Sequence, residues 1–250
     1  MDQRLFLLLA LIATVVFVGL DLRSPAFRAS LSSDRFRLRR NLGYACGNVL
    51  SIGGLALVNG WLDAHVPRLV SWQGFPVIVE VAACVVVAEL INWLSHWIKH
   101  VRPWLWTFHL QHHVGRHYDT TLTLHTHAVD VVLSGAVMSA VLMLLGFGRL
   151  GVDVFVLAYY AANLYKHGHT MLSLGPVLDR IIVSPAYHRV HHTTVARGNY
   201  GSVLTLFDVV FGTAVWPPAD IATRPVGVEH VVERGFVDEM LLPLHPDKAA

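Results

Sequence analysis

Five stretches of this chain are apolar for long enough to leave water, and arginine-rich or histidine-rich segments separate them. Leu5 to Leu20 is an unbroken apolar run ending at Asp21 and Arg23. Only Arg4 precedes it and no small-x-small cleavage site follows at once, so it predicts a retained membrane helix rather than a cleaved leader. Leu42 to Leu62 predicts a second span, its glycines (Gly43, Gly47, Gly53, Gly54, Gly60) being those of a closely packed membrane helix. Phe75 to Leu94 predicts a third and runs straight into His96. Val129 to Leu145 and Val152 to Leu164, joined by GFGRLG, are near or below the roughly 20 residues that cross a bilayer. They are either two tilted spans or a re-entrant hairpin.

The polar segments assign sides. Asp34 to Arg40 reads DRFRLRR, a solvated linker whose four arginines mark the cytoplasmic side. Asp63 to Gly74 holds one arginine and is the outer loop. With the N-terminus outside, both histidine-bearing stretches, His96–His127 and His167–His192, fall on the basic side. The expected architecture is all-α: an integral-membrane bundle of four to five apolar segments with a histidine-rich helical cap on the cytosolic face. Residues 1–216 form one membrane-embedded domain in this reading, and 217–250 a soluble tail. Inside the spans there are almost no polar pairs besides Glu89 and Asn92.

Composition agrees with this. Hydrophobic residues make up 54% of the 250 and charged ones 14%, against about 25% charged in soluble domains. Mean hydropathy is +0.50. A net charge of +2 without a basic, aromatic-interleaved stripe is too weak a bias to argue for nucleic acid, and none is expected as a partner. Cys46 and Cys84 sit in apolar segments as small hydrophobes, so neither a disulfide framework nor a zinc ribbon is present.

The candidate chemistry lies in the histidines. His188, His191 and His192 are spaced i, i+3, i+4, and His109, His112 and His113 repeat the pattern; His96 and His100 form an i, i+4 pair. On helices these spacings put each set on one face, which is how ligands to a metal are presented. Eight histidines exceed what one ion takes, and His127 and His167 bring the set to ten, or five nitrogens for each of two metals with a position left open. Such ligands need acceptors that fix their tautomers, for which Glu89, Asp119, Asp130 and Asp208 are candidates. The isolated His65, His230 and His245 are surface side chains. There is no H-E-x-x-H, no glycine-rich nucleotide loop and no G-x-S-x-G, and Ser184 has no acid–base partner in sight, so a hydrolase is a poor reading.

Over Glu89 to Thr213 the chain resembles the sterol desaturase and fatty acid hydroxylase superfamily of integral-membrane di-iron enzymes. The matching residues are Glu89 ahead of His96-x-x-x-His100, then Leu105 and Trp106 before His109, His112 and His113, then His127 and His167. The closing signature is the most specific: SPAYHRVHH at Ser184–His192, Asn199-Tyr200-Gly201, and Asp208 to Thr213 as DVVFGT. The chain departs from the pattern at Trp97 and His125, where arginine is usual, and at His169, where asparagine is. His125 and His169 are therefore either alternative ligands or hydrogen-bonding neighbours, alongside Glu89, Asn199 and Asp208. The resemblance implies two non-haem irons and dioxygen-dependent hydroxylation, or desaturation, of a lipid such as a sterol or fatty acyl chain. It also implies a separate electron donor, a ferredoxin or a cytochrome with its reductase, because no haem-binding H-P-G-G, flavin loop or cluster cysteines occur in the sequence. A bacterial inner membrane is the expected location. The rival reading is a membrane protein that binds or moves a divalent metal without catalysis.

Overall fold

The computed structural model describes residues 1–194 and 198–244. Among these residues there are ten α-helices joined by loops and 3₁₀ turns, and the only β pairing is two isolated bridges. Three helices are long and apolar enough to cross a membrane: α1 (Gln3–Asp21), α3 (Arg35–His65) and α4 (Val77–Val101). The five expected segments thus resolve into three helices of spanning length and a shorter pair, α6 (Ala128–Leu144) and α7 (Arg149–Lys166). At 1.5 Å per residue, the 17 residues of α6 reach about 26 Å, short of the bilayer core. The remaining helices are α2 (Pro25–Ser33), α5 (Pro103–His113), α8 (Pro185–His192), α9 (Leu206–Val210) and α10 (Phe236–Met240).

Contacts at the helix ends fix which ends share a side. The Met1 amino group pairs with Asp153 near the start of α7, at 3.0 Å. Glu80, at the start of α4, accepts from the Gly148 N–H. The loop after α3 reaches the same end, where the Leu69 N–H donates to Leu144 and the Trp72 indole to Leu145. At the opposite end α1 stops on Asp21, fully buried, whose carboxylate accepts from the N–H groups of Thr120 and Thr170. The histidine-bearing segments all gather at this second end, with α6 lying along α3 and α7 between α1 and α4.

Two expectations are corrected here. The arginine run is not a linker but the first turns of α3, capped by Asp34. Arg37 and Arg40 are buried on its inner face and only Arg35 and Arg39 are exposed. Nor is α3 free of polar pairs: a stripe at helical spacing continues through Asn41, Tyr44, Asn48 and Ser51. Arg37 ion-pairs with Asp119, the Asn41 oxygen faces His125, and the Asn48 amide donates to Leu124. The stripe clasps the connector from α5 to α6 and stops midway along the helix.

The described part of the segment after Pro217 folds back on α3 and α5, burying Val231 and Leu242 against Leu110 and Val114. Glu239 accepts from Arg40 and the Tyr44 hydroxyl. Phe236 lies on Gly43 and Gly47; a Cβ at Gly43 would come within 2.6 Å of its ring. Residues 245–250, with His245, lie outside the described residues.

Candidate metal centre

Local sequence builds the helices that carry the ligands. Arg102 is forced out of helical geometry by the proline after it, so α4 ends and Pro103 starts α5 at a new angle. In α8, Ser184 accepts the Tyr187 N–H as N-cap and Pro185 occupies the first helical position. These breaks turn α5 and α8 toward the last turn of α4.

Nine of the ten expected ligands converge, in two groups. His96, His100, His109, His113 and His191 form the first; His112, His167, His188 and His192 form the second. Within each group the ligand atoms lie within 4.8 Å of one another. The motifs interleave: α5 gives its i, i+4 pair to the first group and His112 to the second, and α8 gives its i, i+4 pair to the second and His191 to the first. Each H-x-x-H-H helix therefore straddles both groups.

The donors are turned inward and lack partners suited to them. His191 donates from Nδ1 to the Gly198 carbonyl at 2.7 Å, His96 from Nδ1 to Tyr200 at 2.8 Å, and His167 from Nδ1 to Asn163 at 2.8 Å. Each proton placed there leaves a lone pair on Nε2. Yet the His191 Nε2 faces that of His113 at 3.1 Å, and the His167 Nε2 faces that of His188 at 3.1 Å. His113 also meets His109 at 3.2 Å, and His188 meets His192 at 3.1 Å. One nitrogen facing two others can donate to only one. A cation at the centre of each group satisfies all of them, since such separations are edges of a coordination shell with bonds of about 2.1 Å. Histidines fit such an ion.

Burial keeps these rings in the neutral form that binds metal. It pushes His112 down to about 3, helped by the charge of Lys166, and His191 to about 4 against the pull of the Gly198 carbonyl. His109, His113, His188 and His192 are driven in the same direction, burial first and neighbouring rings second. The unfolded chain takes protons below pH 6.5 that the fold refuses, so metal-free protein loses stability as pH falls from 6.5 toward 4. His112 and His191 alone should cost about 2 kcal/mol each at pH 5. Thermal melting across this window is expected to show the fall in stripped protein and a flatter profile after metal loading.

The other expected residues stand around the groups rather than in them. The Asp208 carboxylate, fully buried, accepts from Trp93, Tyr187 and Thr213 side chains and from the N–H groups of Tyr200 and Gly201. Asn199 adopts φ +59°, which asparagine tolerates, and its amide clamps Tyr187 and Val215. Gly201 lies so close to Leu204 that a Cβ would stand 2.4 Å from its carbonyl oxygen. Asn199-Tyr200-Gly201 is thus a backbone shelf whose carbonyls, with that of Gly198, orient His96 and His191. Glu89 braces the following turn by accepting from three successive N–H groups, Ser202 to Leu204. Asp130, paired with Lys99, stands 3.6 Å from His109 Nδ1, whereas Asp119 serves Arg37.

His127 does not join either group. Its Nδ1 accepts the Val129 N–H as cap of α6 and its Nε2 donates to Met240, so both nitrogens are occupied. His125 stacks on Tyr44 and donates to Asn41, and His169 lies beside Phe27; neither ring joins the groups, although the His125 backbone meets the His112 ring. Sequence reading missed the aromatic walls: Trp106 against His100 and His113, and Tyr118 against His167 and His192. Trp106 was visible in its motif, while nothing marked Tyr118.

A model of the fatty acid hydroxylase family matches residues 81–213, just over half of the chain. The chain belongs to the fatty acid hydroxylase family. Ornithine lipid hydroxylase OlsE of Rhizobium tropici is 33% identical over 174 residues, 68% of this chain and 51% of the relative. The chain therefore spans about half the length of that relative. No solved structure matches it significantly. The family match runs from within α4 to Thr213 and so takes in all nine converging histidines and the shelf.

Proposed function

We propose that this chain is a dioxygen-dependent lipid hydroxylase, with the nine converging histidines holding two iron ions. One observation carries this: nine imidazoles, eight buried and that of His100 half-buried, sort into two adjacent groups at the end of a bundle three of whose helices are long and apolar enough to span a bilayer. Imidazole suits iron among other metals, and family membership supports iron. Iron there supplies the activation of dioxygen that attack on an unactivated C–H bond requires. The chain's own residues keep the imidazoles neutral, hold their tautomers through the Gly198, Tyr200 and Asn163 carbonyls, and exclude water by burial. Hydroxylation is preferred to desaturation because the family description and the relative's name both specify hydroxylation.

Ornithine-headed lipid is the first substrate to try, by analogy with the relative. The bacterial relative and the exposed arginines beside α2 support an inner membrane with the centre on its cytoplasmic face. A metal-transport reading is less supported, since the polar stripe of α3 runs only from Arg37 to Ser51 and ties the connector down. The test is expression in a bacterium making ornithine lipids, with lipid mass spectrometry under ¹⁸O₂. Lipids heavier by one ¹⁸O atom are expected, and absent with His191→Ala plus His192→Ala. Oxygen-independent or unaltered lipids across a broad lipid panel would sink the proposal.

A further inference from the structure

A cavity of about 480 Å³ opens between α2, the start of α3, residues 116–119, residues 169–171 and α8. Its floor is Tyr118, whose ring centre lies 5.5 Å from that of His192 and 5.9 Å from that of His167. The Tyr118 hydroxyl donates to the Lys166 carbonyl at 2.6 Å with that of Pro185 at 3.2 Å, and the residue is 5% exposed, so this floor is a fixed partition one side chain thick. The charged side chains in its walls are Arg37, Arg116 and Arg189, beside the imidazoles of His117 and His169, against one acid, Asp119, which Arg37 already neutralises. Arg189 lies 5.0 Å over the Tyr118 ring, held by the Ile221 and Arg224 carbonyls, and Arg116 is exposed. Arg23, Arg28, Arg35 and Arg39 are exposed on the flanking turn and helices; of the acids near this face Asp34 is engaged as the cap of α3, Asp21 by the Thr120 and Thr170 N–H groups, and Glu233 by the Arg116 N–H and Arg40.

A pinned tyrosine bars a lipid chain from the histidines on this side. Electrons do not need an opening. A basic, concave face one aromatic ring from the second histidine group suits a protein that brings charge without touching the metal, and opposite charge would steer and orient it. We propose that this hollow is the docking face of a small acidic one-electron carrier protein, and that electrons enter the centre past Tyr118. The inference rests on the oxygenase reading, which creates the demand: R–H + O₂ + 2 e⁻ + 2 H⁺ gives R–OH + H₂O, so the carrier is oxidised twice per turnover.

The test uses metal-loaded protein in uncharged phosphatidylcholine nanodiscs and a plant-type [2Fe–2S] ferredoxin as probe. Affinity is measured at low and high salt, and the anaerobic oxidation of reduced ferredoxin is followed by stopped flow. Arg116→Glu with His117→Glu is expected to weaken binding about tenfold or more at low salt and to flatten its salt dependence, while dithionite reduces variant and wild type alike. Tyr118→Leu should bind ferredoxin normally but oxidise it at least tenfold more slowly, with Tyr118→Phe, which keeps the ring, behaving as wild type. Charge-insensitive binding with intact reduction by dithionite overturns the docking face alone. Displacement of ferredoxin by phosphatidylglycerol in the disc but not by salt overturns it in favour of a lipid headgroup. Failure of dithionite to reduce any form overturns the oxygenase reading, and this inference with it.

Discussion

Replacing His188 and His192 together by alanine is expected to leave about one metal ion per chain where the wild type holds about two, and replacing His109 and His113 together should do the same. Both double variants should reduce hydroxylation to background. The reasoning is geometric: each i, i+4 pair belongs wholly to one group, so its loss takes two of four donors from the second group or two of five from the first, leaving the other intact. The adjacent pair His191 and His192 is different, because it draws one ligand from each group. Its replacement should weaken both ions and leave neither at full occupancy. His127→Ala should retain both, because that ring caps α6 and bonds to Met240. Metal analysis of purified protein decides the matter. Equal loss from every pair, or loss in His127→Ala, would show that the histidines do not sort as described.

That sorting was only partly legible in the sequence. Spacing revealed the clusters because i, i+3 and i+4 are neighbours on any helix. It did not reveal that one motif feeds two sites, which depends on how α5 and α8 cross. Composition exposed the apolar helices but hid the inner face of α3, since Arg37, Arg40, Asn41 and Tyr44 are diluted among leucines and glycines, and a hydropathy window averages them away. The arginine run looked solvated because charge normally is; here Asp119, Glu233 and Glu239, up to 199 residues distant, pair with it. His127 is the converse case. It aligned with a ligand position, yet its nitrogens are engaged, one by the local cap of α6 two residues on and the other by the Met240 carbonyl 113 residues away. Asn199 and Asp208 were legible as motif members, but their role as a shelf became visible only with the positive φ and the five hydrogen bonds.

Asp208→Asn is expected to lower metal affinity of the first group by about 10–100-fold while the second is nearly unchanged. The carboxylate has no spare capacity: Oδ1 accepts from the Trp93 indole, the Tyr200 N–H and the Thr213 hydroxyl, and Oδ2 from the Gly201 N–H and the Tyr187 hydroxyl. An amide can present its oxygen to only one of these sides. Turned one way, its NH₂ opposes the Gly201 N–H; turned the other, it opposes the Tyr200 N–H and the Trp93 indole. A buried donor left facing a donor costs about 1–3 kcal/mol, and the shelf is the part able to move. The Tyr200 and Gly198 carbonyls would shift with it, releasing the Nδ1 protons of His96 and His191, both in the first group. His112, His167, His188 and His192 have no bond to this shelf, which is why the loss should be one-sided. Glu89→Gln makes the contrast: its Oε1 takes all three N–H groups and its Oε2 has no partner, so an amide keeps the bonds and the effect should be smaller, confined to the lost charge beside Lys166. Chelator competition on the two variants separates these cases, and equal, two-site weakening by both would mean that the acids act through charge rather than by holding the shelf.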